Sequence, residues 1–229
     1  MKNIRAVKSS KRERIDSYSV SLTKKIFDKA FTLLALLILA PTLIFLAILI
    51  KWDSRGPILF RQTRIGKDGK PFTIYKFRTM RAETNPYATT PENDMRDPRI
   101  TRVGRLLRKA GLDEIPQLLN VLKGDMSIVG PRPEMPFLVS QYKPKQHKRL
   151  QVLPGITGLW QISPARYQPI HMNLQYDLYY IAHQSLSLDV MIIAMTAVHL
   201  IRTYHLMSCR AITRAYSIFL KGDVLGKSV

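Results

Sequence analysis

Hydrophobic and polar positions change rhythm several times along this chain. Residues 1–20 are polar and basic without a sustained period, which predicts an arm rather than a packed element. Residues 30–50, AFTLLALLILAPTLIFLAILI, carry no charge, long enough for a helix to cross a hydrocarbon core of about 30 Å. GPILFRQTRIGKDGKPFTIYKFRTM then places Ile, Phe, Thr and Tyr on both sides of Asp68-Gly69, which predicts two strands around a turn. Residues 82–98, with Pro86, Pro91 and Pro98 among polar turn formers, predict a loop.

The second half is predominantly helical in pattern. ITRVGRLLRKAG predicts a short basic amphipathic helix stopped by Gly111. A second helix is expected at once, with Asp113 as N-cap, Pro116 in its first turn, a face of Leu118, Leu119, Val121 and Leu122, and Gly124 as its stop. The prolines of VGPRPEMP demand extended backbone. LPGITGLWQIS is apolar and turn-rich, and NLQYDLYYIAHQ and SLDVMIIAMTAVHLIRTYH look helical. The last has an uncharged run of only about 12 residues, which favours core or bilayer interface over a second span.

The 21-residue apolar run needs a closer reading. It exceeds the apolar region of a secretory signal, and Lys51-Trp52-Asp53 follows without a small-residue cleavage site. Pro41 at its centre removes a helical hydrogen bond and kinks the segment. Lys11, Arg12, Arg14, Lys24 and Lys25 precede it, and Lys51, Arg55, Arg61 and Arg64 follow. Positive flanks stay cytoplasmic, so a span would receive contradictory orientations, whereas a re-entrant helix satisfies both. The residues alone leave spanning and re-entrant forms open.

Charge narrows the partners. A formal net charge of +20 and a pI near 10.3 imply an anionic partner: nucleic acid, anionic lipid or a phosphorylated substrate. No helix-turn-helix, RNA-recognition or zinc-finger signature supports nucleic acid. Neither a Walker A nor a GxGxxG loop is present, and the histidines (147, 171, 183, 199, 205) lack metal-binding spacing. The single cysteine, Cys209, excludes an intramolecular disulfide and fits a reducing compartment.

Against that basic background, Asp113 and Glu114 stand side by side. Alone, they read as a helix cap and a first-turn acid. Their company points further: Arg132 is held between Pro131 and Pro133, and a rigidly held guanidinium suits bidentate phosphate binding. Mg²⁺ uses one or two protein carboxylates and leaves its other positions to water and phosphate. Paired acids, arginines and a membrane segment therefore suit acid–metal–phosphate chemistry, with an aspartate able to attack phosphorus once the charge is masked.

The motifs KKIFDKAFTLLALLILAPTLIFLAILIKWDSRGPILFRQTRIG, FTIYKFRTM, DPRITRVGRLLRKAGLDEIPQLLNVLKGDMSIVGPRPE, LPGITGLWQI and YDLYYI…SLSLDVMII, in that order from Lys24 to about Arg202, resemble the bacterial sugar transferases, monotopic polyprenyl-phosphate hexose-1-phosphate transferases. The resemblance implies transfer of a sugar 1-phosphate from a UDP-sugar to undecaprenyl phosphate, with release of UMP, at the start of exopolysaccharide, capsule, O-antigen or glycoconjugate synthesis. It implies a re-entrant helix over residues 26–50, kinked at Pro41, with Asp113 as nucleophile and Glu114 binding Mg²⁺ or activating the acceptor. Asp113 and Glu114 would be the metal ligands. Arg108 and Arg132, with Pro131 and Pro133, would bind substrate phosphate, and Lys76 and Arg78 carry over more weakly. Many members have serine before the kinking proline, where this chain has Ala40. Longer members place four transmembrane helices ahead of this unit, so the chain resembles the minimal catalytic form.

The expectation is thus an α/β, mostly α, protein: a basic arm (1–23), a re-entrant membrane helix (24–52), and a catalytic domain (53–229) with a small β-hairpin element. The catalytic domain would lie on the cytoplasmic face of the bacterial inner membrane and dock on anionic lipids. A homodimer is left open, as is the identity of the sugar. The rival from another class is a membrane-tethered polyanion-binding protein without catalysis.

Overall fold

Ser21 starts the first helix by accepting the Lys24 N–H on its side chain at 3.2 Å, and the chain stays helical through Asp53 (α1, Leu22–Asp53) with Pro41 inside. The computed structural model describes residues 21–84 and 97–204. Most of the expected basic arm, most of the loop at 82–98, His205 and Cys209 lie outside the described residues.

At 1.5 Å per residue a straight helix of this length would reach about 48 Å, and α1 presents two unlike faces along it. Leu33, Leu34, Leu37, Ile38, Ile44 and Phe45 are each more than half exposed. The opposite face is fastened to the rest of the protein near both ends. Lys24 Nζ donates to Asp189 Oδ2 at 2.6 Å, to Asp28 Oδ1 at 3.4 Å and to the Val129 carbonyl at 3.4 Å. Asp28 in turn accepts from Ser127 Oγ at 2.8 Å and the Ile128 N–H at 3.3 Å. These charges are buried and survive there because each is paired. Toward the other end, Leu46 and Ile50 pack with Phe77 and Leu107. Asp53 accepts the Val103 N–H at 2.9 Å, and Arg78 Nη2 donates to the Ser54 carbonyl at 2.7 Å and its hydroxyl at 2.8 Å.

The expected hairpin forms between β1 (Leu59–Ile65) and β2 (Pro71–Phe77), antiparallel from Leu59↔Phe77 to Ile65↔Pro71. Its connection is wider than a two-residue turn: Lys67–Gly69 make a 3₁₀ turn, with Asp68 left-handed at φ 55°. The basic helix follows as α2 (Arg102–Ala110), opened by Thr101 and closed by Gly111 at φ 66°. Gly104 lets α2 press against the segment after β2, since a Cβ there would fall 2.1 Å from the Thr79 carbonyl oxygen.

The next segment corrects one expectation. Asp113 is no N-cap: it lies inside a 3₁₀ helix, Leu112–Gln117, that begins directly from left-handed Gly111. With Gly111 ending one helix and opening the next, no extended residue intervenes to serve as a side-chain cap. The segment continues into α3 (Leu118–Lys123), stopped as expected by Gly124.

A parallel pair, β3 (Ser127–Val129) and β4 (Gly155–Thr157), went unrecognised as strands in the sequence. Between them lies the single-turn α4 (Pro136–Val139); after them come α5 (Leu159–Ile162), α6 (Leu174–His183) and α7 (Leu186–Tyr204). The main core gathers Ile74, Leu118, Val121, Met126, Ile128, Leu159, Tyr180, Leu188 and Ile192 from these elements. Helix α7 enters it through Leu188 and Ile192, with Val190 and Val198 outward. It is a core helix with an apolar outer side.

Candidate active site

Glu114 is the point where separate parts of the fold meet. Its Oε1 accepts from Lys76 Nζ on β2 at 2.6 Å and from Arg132 Nη2 at 2.7 Å, and its Oε2 accepts from Arg132 Nη1 at 3.2 Å. Arg132 follows β3, so a hairpin strand, the 3₁₀ helix and the Pro-Arg-Pro segment converge on one carboxylate. Burial pushes the Glu114 carboxyl up, but Arg132 and Lys76 together more than offset it and hold it below the usual carboxylate range. Lys76 is pushed down by burial, against the pull of Glu114, while Glu114 holds Arg132 up.

Asp113 is arranged differently. Its carboxylate accepts no hydrogen bond among the described residues, although it lines the same cavity. Burial, then the neighbouring Glu114, push its pKa up, while Lys76, Arg108 and Arg132 pull it down. The adjacent acids are therefore unlike: Glu114 is hydrogen-bonded to two cations, and Asp113 to none among the described residues.

Asn120 sets the alignment behind this arrangement. Fully buried, it donates to the Thr73 carbonyl at 2.7 Å and accepts the Tyr75 N–H at 3.1 Å, pinning β2 to the segment that carries the acids. Arg108 on α2 donates from Nε to Thr79 Oγ1 at 2.9 Å, which places it at the cavity wall. Arg78 also lines the cavity, but its Nη2 closes the end of α1, the role the structure gives it. Pro131 and Pro133 are buried behind Arg132 and line a separate small void instead of the main cavity.

The cavity holds about 1500 Å³, above the 300–1,000 Å³ usual for one small ligand. Leu36, Leu43, Ile44 and Ala47 of α1 give it apolar lining. Arg61, Arg64, Lys76, Arg78, Arg81, Arg99, Arg108 and Arg132 also line it, with the acids Asp113 and Glu114. Arg81, Arg99, Thr79 and Asn120 are not legible as site residues in the sequence. Arginines in a basic chain carry no individual signal, and Asn120 reads as one more polar position on a helix.

Among the described residues no three acidic, histidine or cysteine side chains gather to hold a metal. Magnesium does not need three. The adjoining carboxylates of Asp113 and Glu114 match the one or two it takes from protein. None of His147, His183 and His199 lines the cavity.

A family model described as bacterial sugar transferase matches residues 19–203, and the chain belongs to that family. It is 43% identical over 189 residues to an exopolysaccharide production protein of Rhizobium leguminosarum bv. phaseoli, covering 76% of this chain and 93% of that protein. It is 40% identical to a UDP-glucose:undecaprenyl-phosphate glucose-1-phosphate transferase of Escherichia coli K12, over 76% of this chain and 39% of the relative. A UDP-N-acetylgalactosamine-undecaprenyl-phosphate N-acetylgalactosaminephosphotransferase of Aeromonas hydrophila is likewise 40% identical, over 76% of this chain and 42% of its own length. The chain thus spans about two fifths of the last two proteins.

Proposed function

We propose that this protein transfers a sugar 1-phosphate from a UDP-sugar to undecaprenyl phosphate, releasing UMP and forming undecaprenyl-diphospho-sugar. The observation that carries the proposal is the Asp113 carboxylate, which accepts no hydrogen bond among the described residues, beside a cation-bound Glu114 in a cavity lined by arginines and by apolar residues of α1. Relatives named for UDP-sugars and undecaprenyl phosphate support the same donor and acceptor. Family members named for glucose and for N-acetylgalactosamine align about equally well, so the sugar stays unassigned.

The chemistry runs in two displacements. A carboxylate oxygen of Asp113 attacks the phosphorus that bears the sugar; the bond from that phosphorus to the bridging oxygen breaks, and UMP leaves with the electron pair. An oxygen of undecaprenyl phosphate then attacks the same phosphorus, the acyl-phosphate bond breaks, and Asp113 is regenerated. Arg132, Arg108 and Lys76 offset the negative charge that would otherwise repel an anionic nucleophile. Burial keeps Asp113 more basic, hence more nucleophilic, than an exposed aspartate. Glu114 holds Lys76 and Arg132 in place before substrate arrives. Asp113 and Glu114 would hold Mg²⁺, which when bound supplies further neutralisation of the diphosphate.

The re-entrant topology and the cytoplasmic face of the inner membrane belong to this proposal. Fastening of α1 to the same body at Lys24–Asp28 and again at Ile50–Ser54 supports it, since a span would carry those ends to opposite sides. The exposed leucines and isoleucines along α1 support contact with lipid. The lipid tail of the acceptor would then lie along α1 with its phosphate toward Asp113.

A UMP-release assay across a panel of UDP-sugars, with and without undecaprenyl phosphate in detergent, tests the proposal. Turnover with at least one sugar, dependent on the lipid, is expected. Salt-sensitive binding of polyanions with no UMP from any UDP-sugar would overturn it in favour of a tethered binder.

A further inference from the structure

Pro131 and Pro133 have no N–H, so the tripeptide that carries Arg132 cannot be held by a regular strand ladder. Its carbonyls carry the anchoring. The Pro131 carbonyl accepts the Gly155 N–H at 2.9 Å, and the Arg132 carbonyl accepts from Arg149 Nη2 at 2.8 Å. Arg149, only 3% exposed, lies outside the main cavity, in the 3₁₀ turn Gln146–Gln151. Its remaining nitrogens are all engaged. Nε donates to Asp177 Oδ2 at 2.9 Å, and Nη1 donates to the Glu134 carboxylate and the Tyr142 hydroxyl, which itself donates to Glu134.

Burying one guanidinium between two carboxylates is a poor source of stability, because apolar side chains of similar volume do as well or better. What such a cluster does supply is direction. A guanidinium is planar, so fixing two of its nitrogens fixes the direction of the third. With Asp177, Glu134 and Tyr142 holding Nε and Nη1, the Nη2 of Arg149 is aimed at a single backbone atom, the Arg132 carbonyl. On the far side of that residue, the Arg132 side chain closes on Glu114 as a two-point fork.

We propose that Arg149, set by Glu134, Tyr142 and Asp177, is a positioning residue that fixes the backbone of Arg132 and so aims its guanidinium at Glu114 and at the phosphate of the donor. This rests on the transferase reading for its kinetic consequence, though not for its geometry.

A double-mutant cycle tests it. Arg149→Lys and, more mildly, Tyr142→Phe are each made in the parent chain and in an Arg132→Lys background, which retains charge but loses the fork. Arg149→Lys is expected to lower kcat about tenfold or more in the parent and less than about twofold in the Arg132→Lys background, because coupled residues are non-additive. Equal fold losses in both backgrounds, or none in the parent, would overturn the proposal. Tyr142→Phe carries the same cycle if Arg149→Lys does not fold. Should the parent release no UMP, the transferase reading fails separately, and the positioning claim is read from the ¹⁵N signal of Arg132 Nε–H, assigned by its loss in Arg132→Lys. That signal is expected to shift in Tyr142→Phe and not in the core control Ile74→Val; an unshifted signal would overturn the claim.

Discussion

Arg132 closes on Glu114 through both terminal nitrogens, at 2.7 and 3.2 Å, while Asp113, the residue before it, accepts no hydrogen bond among the described residues. Two acids adjacent in sequence thereby differ: Glu114 is tied by cations, and Asp113 lines the cavity without an accepted hydrogen bond among the described residues. The difference arises from which strand ends reach each acid, with β2 delivering Lys76 and the segment after β3 delivering Arg132, both to Glu114.

The fork itself is open to test. Arg132→Lys keeps the charge but loses two-point geometry, and hydrogen bonds to charged groups contribute about 1.5–3 kcal/mol. A fall of about ten- to one-hundredfold in kcat/KM is expected in the UMP-release assay, together with a lowered thermal midpoint, because the fork is also a contact of the folded chain.

If Asp113 is the nucleophile proposed above, its raised pKa sets the acid side of the pH profile. The nucleophile must be ionised, so the rate falls as pH drops through that raised value. Burial, then Glu114, push it up, and Lys76 pulls it down. Lys76→Met removes a downward pull, so the acid limb of kcat/KM moves to higher pH. A limb that stays in place or moves down in that variant would separate Asp113 from the titration observed.

Gly104→Ala addresses the framework. The added methyl would meet the Thr79 backbone at 2.1 Å, and overpacking of this kind costs about 1–3 kcal/mol. A lowered thermal midpoint is expected, together with reduced turnover, because Arg108 is aligned through Thr79.

The topology of α1 is accessible to labelling. In a Cys209→Ser background, Lys25→Cys and Trp52→Cys place single thiols at exposed positions near its two ends. A membrane-impermeant reagent applied to inverted inner-membrane vesicles is expected to label both. Labelling of only one from that side would make α1 a span.

Much of the frame was legible from local signals. The apolar run, Asp68-Gly69 and the stops at Gly111 and Gly124 each act within a few residues, and each appears where the pattern put it. Asp113 and Glu114 stood out because acids are scarce here, and Arg132 because prolines flank it. The missed features depend on distant partners. Strands β3 and β4 are three residues each and pair in parallel across 28 positions of sequence, from Ser127 to Gly155, too short for an alternating pattern to register. The capping role expected of Asp113 failed because Gly111 serves as the end of one helix and the start of the next. That Glu114 would be tied and Asp113 left unengaged follows from where Lys76 and Arg132 arrive in space, which no spacing encodes.

Trapping of the proposed intermediate bears on the whole scheme. The protein is incubated with a turnover-competent UDP-sugar without undecaprenyl phosphate, quenched and digested, and peptides are mapped by mass spectrometry. A phosphosugar adduct on Asp113 is expected, absent in Asp113→Asn and lost when undecaprenyl phosphate is added before the quench. Undiminished turnover in Asp113→Asn, or an adduct mapped to another residue, would contradict covalent catalysis through this side chain.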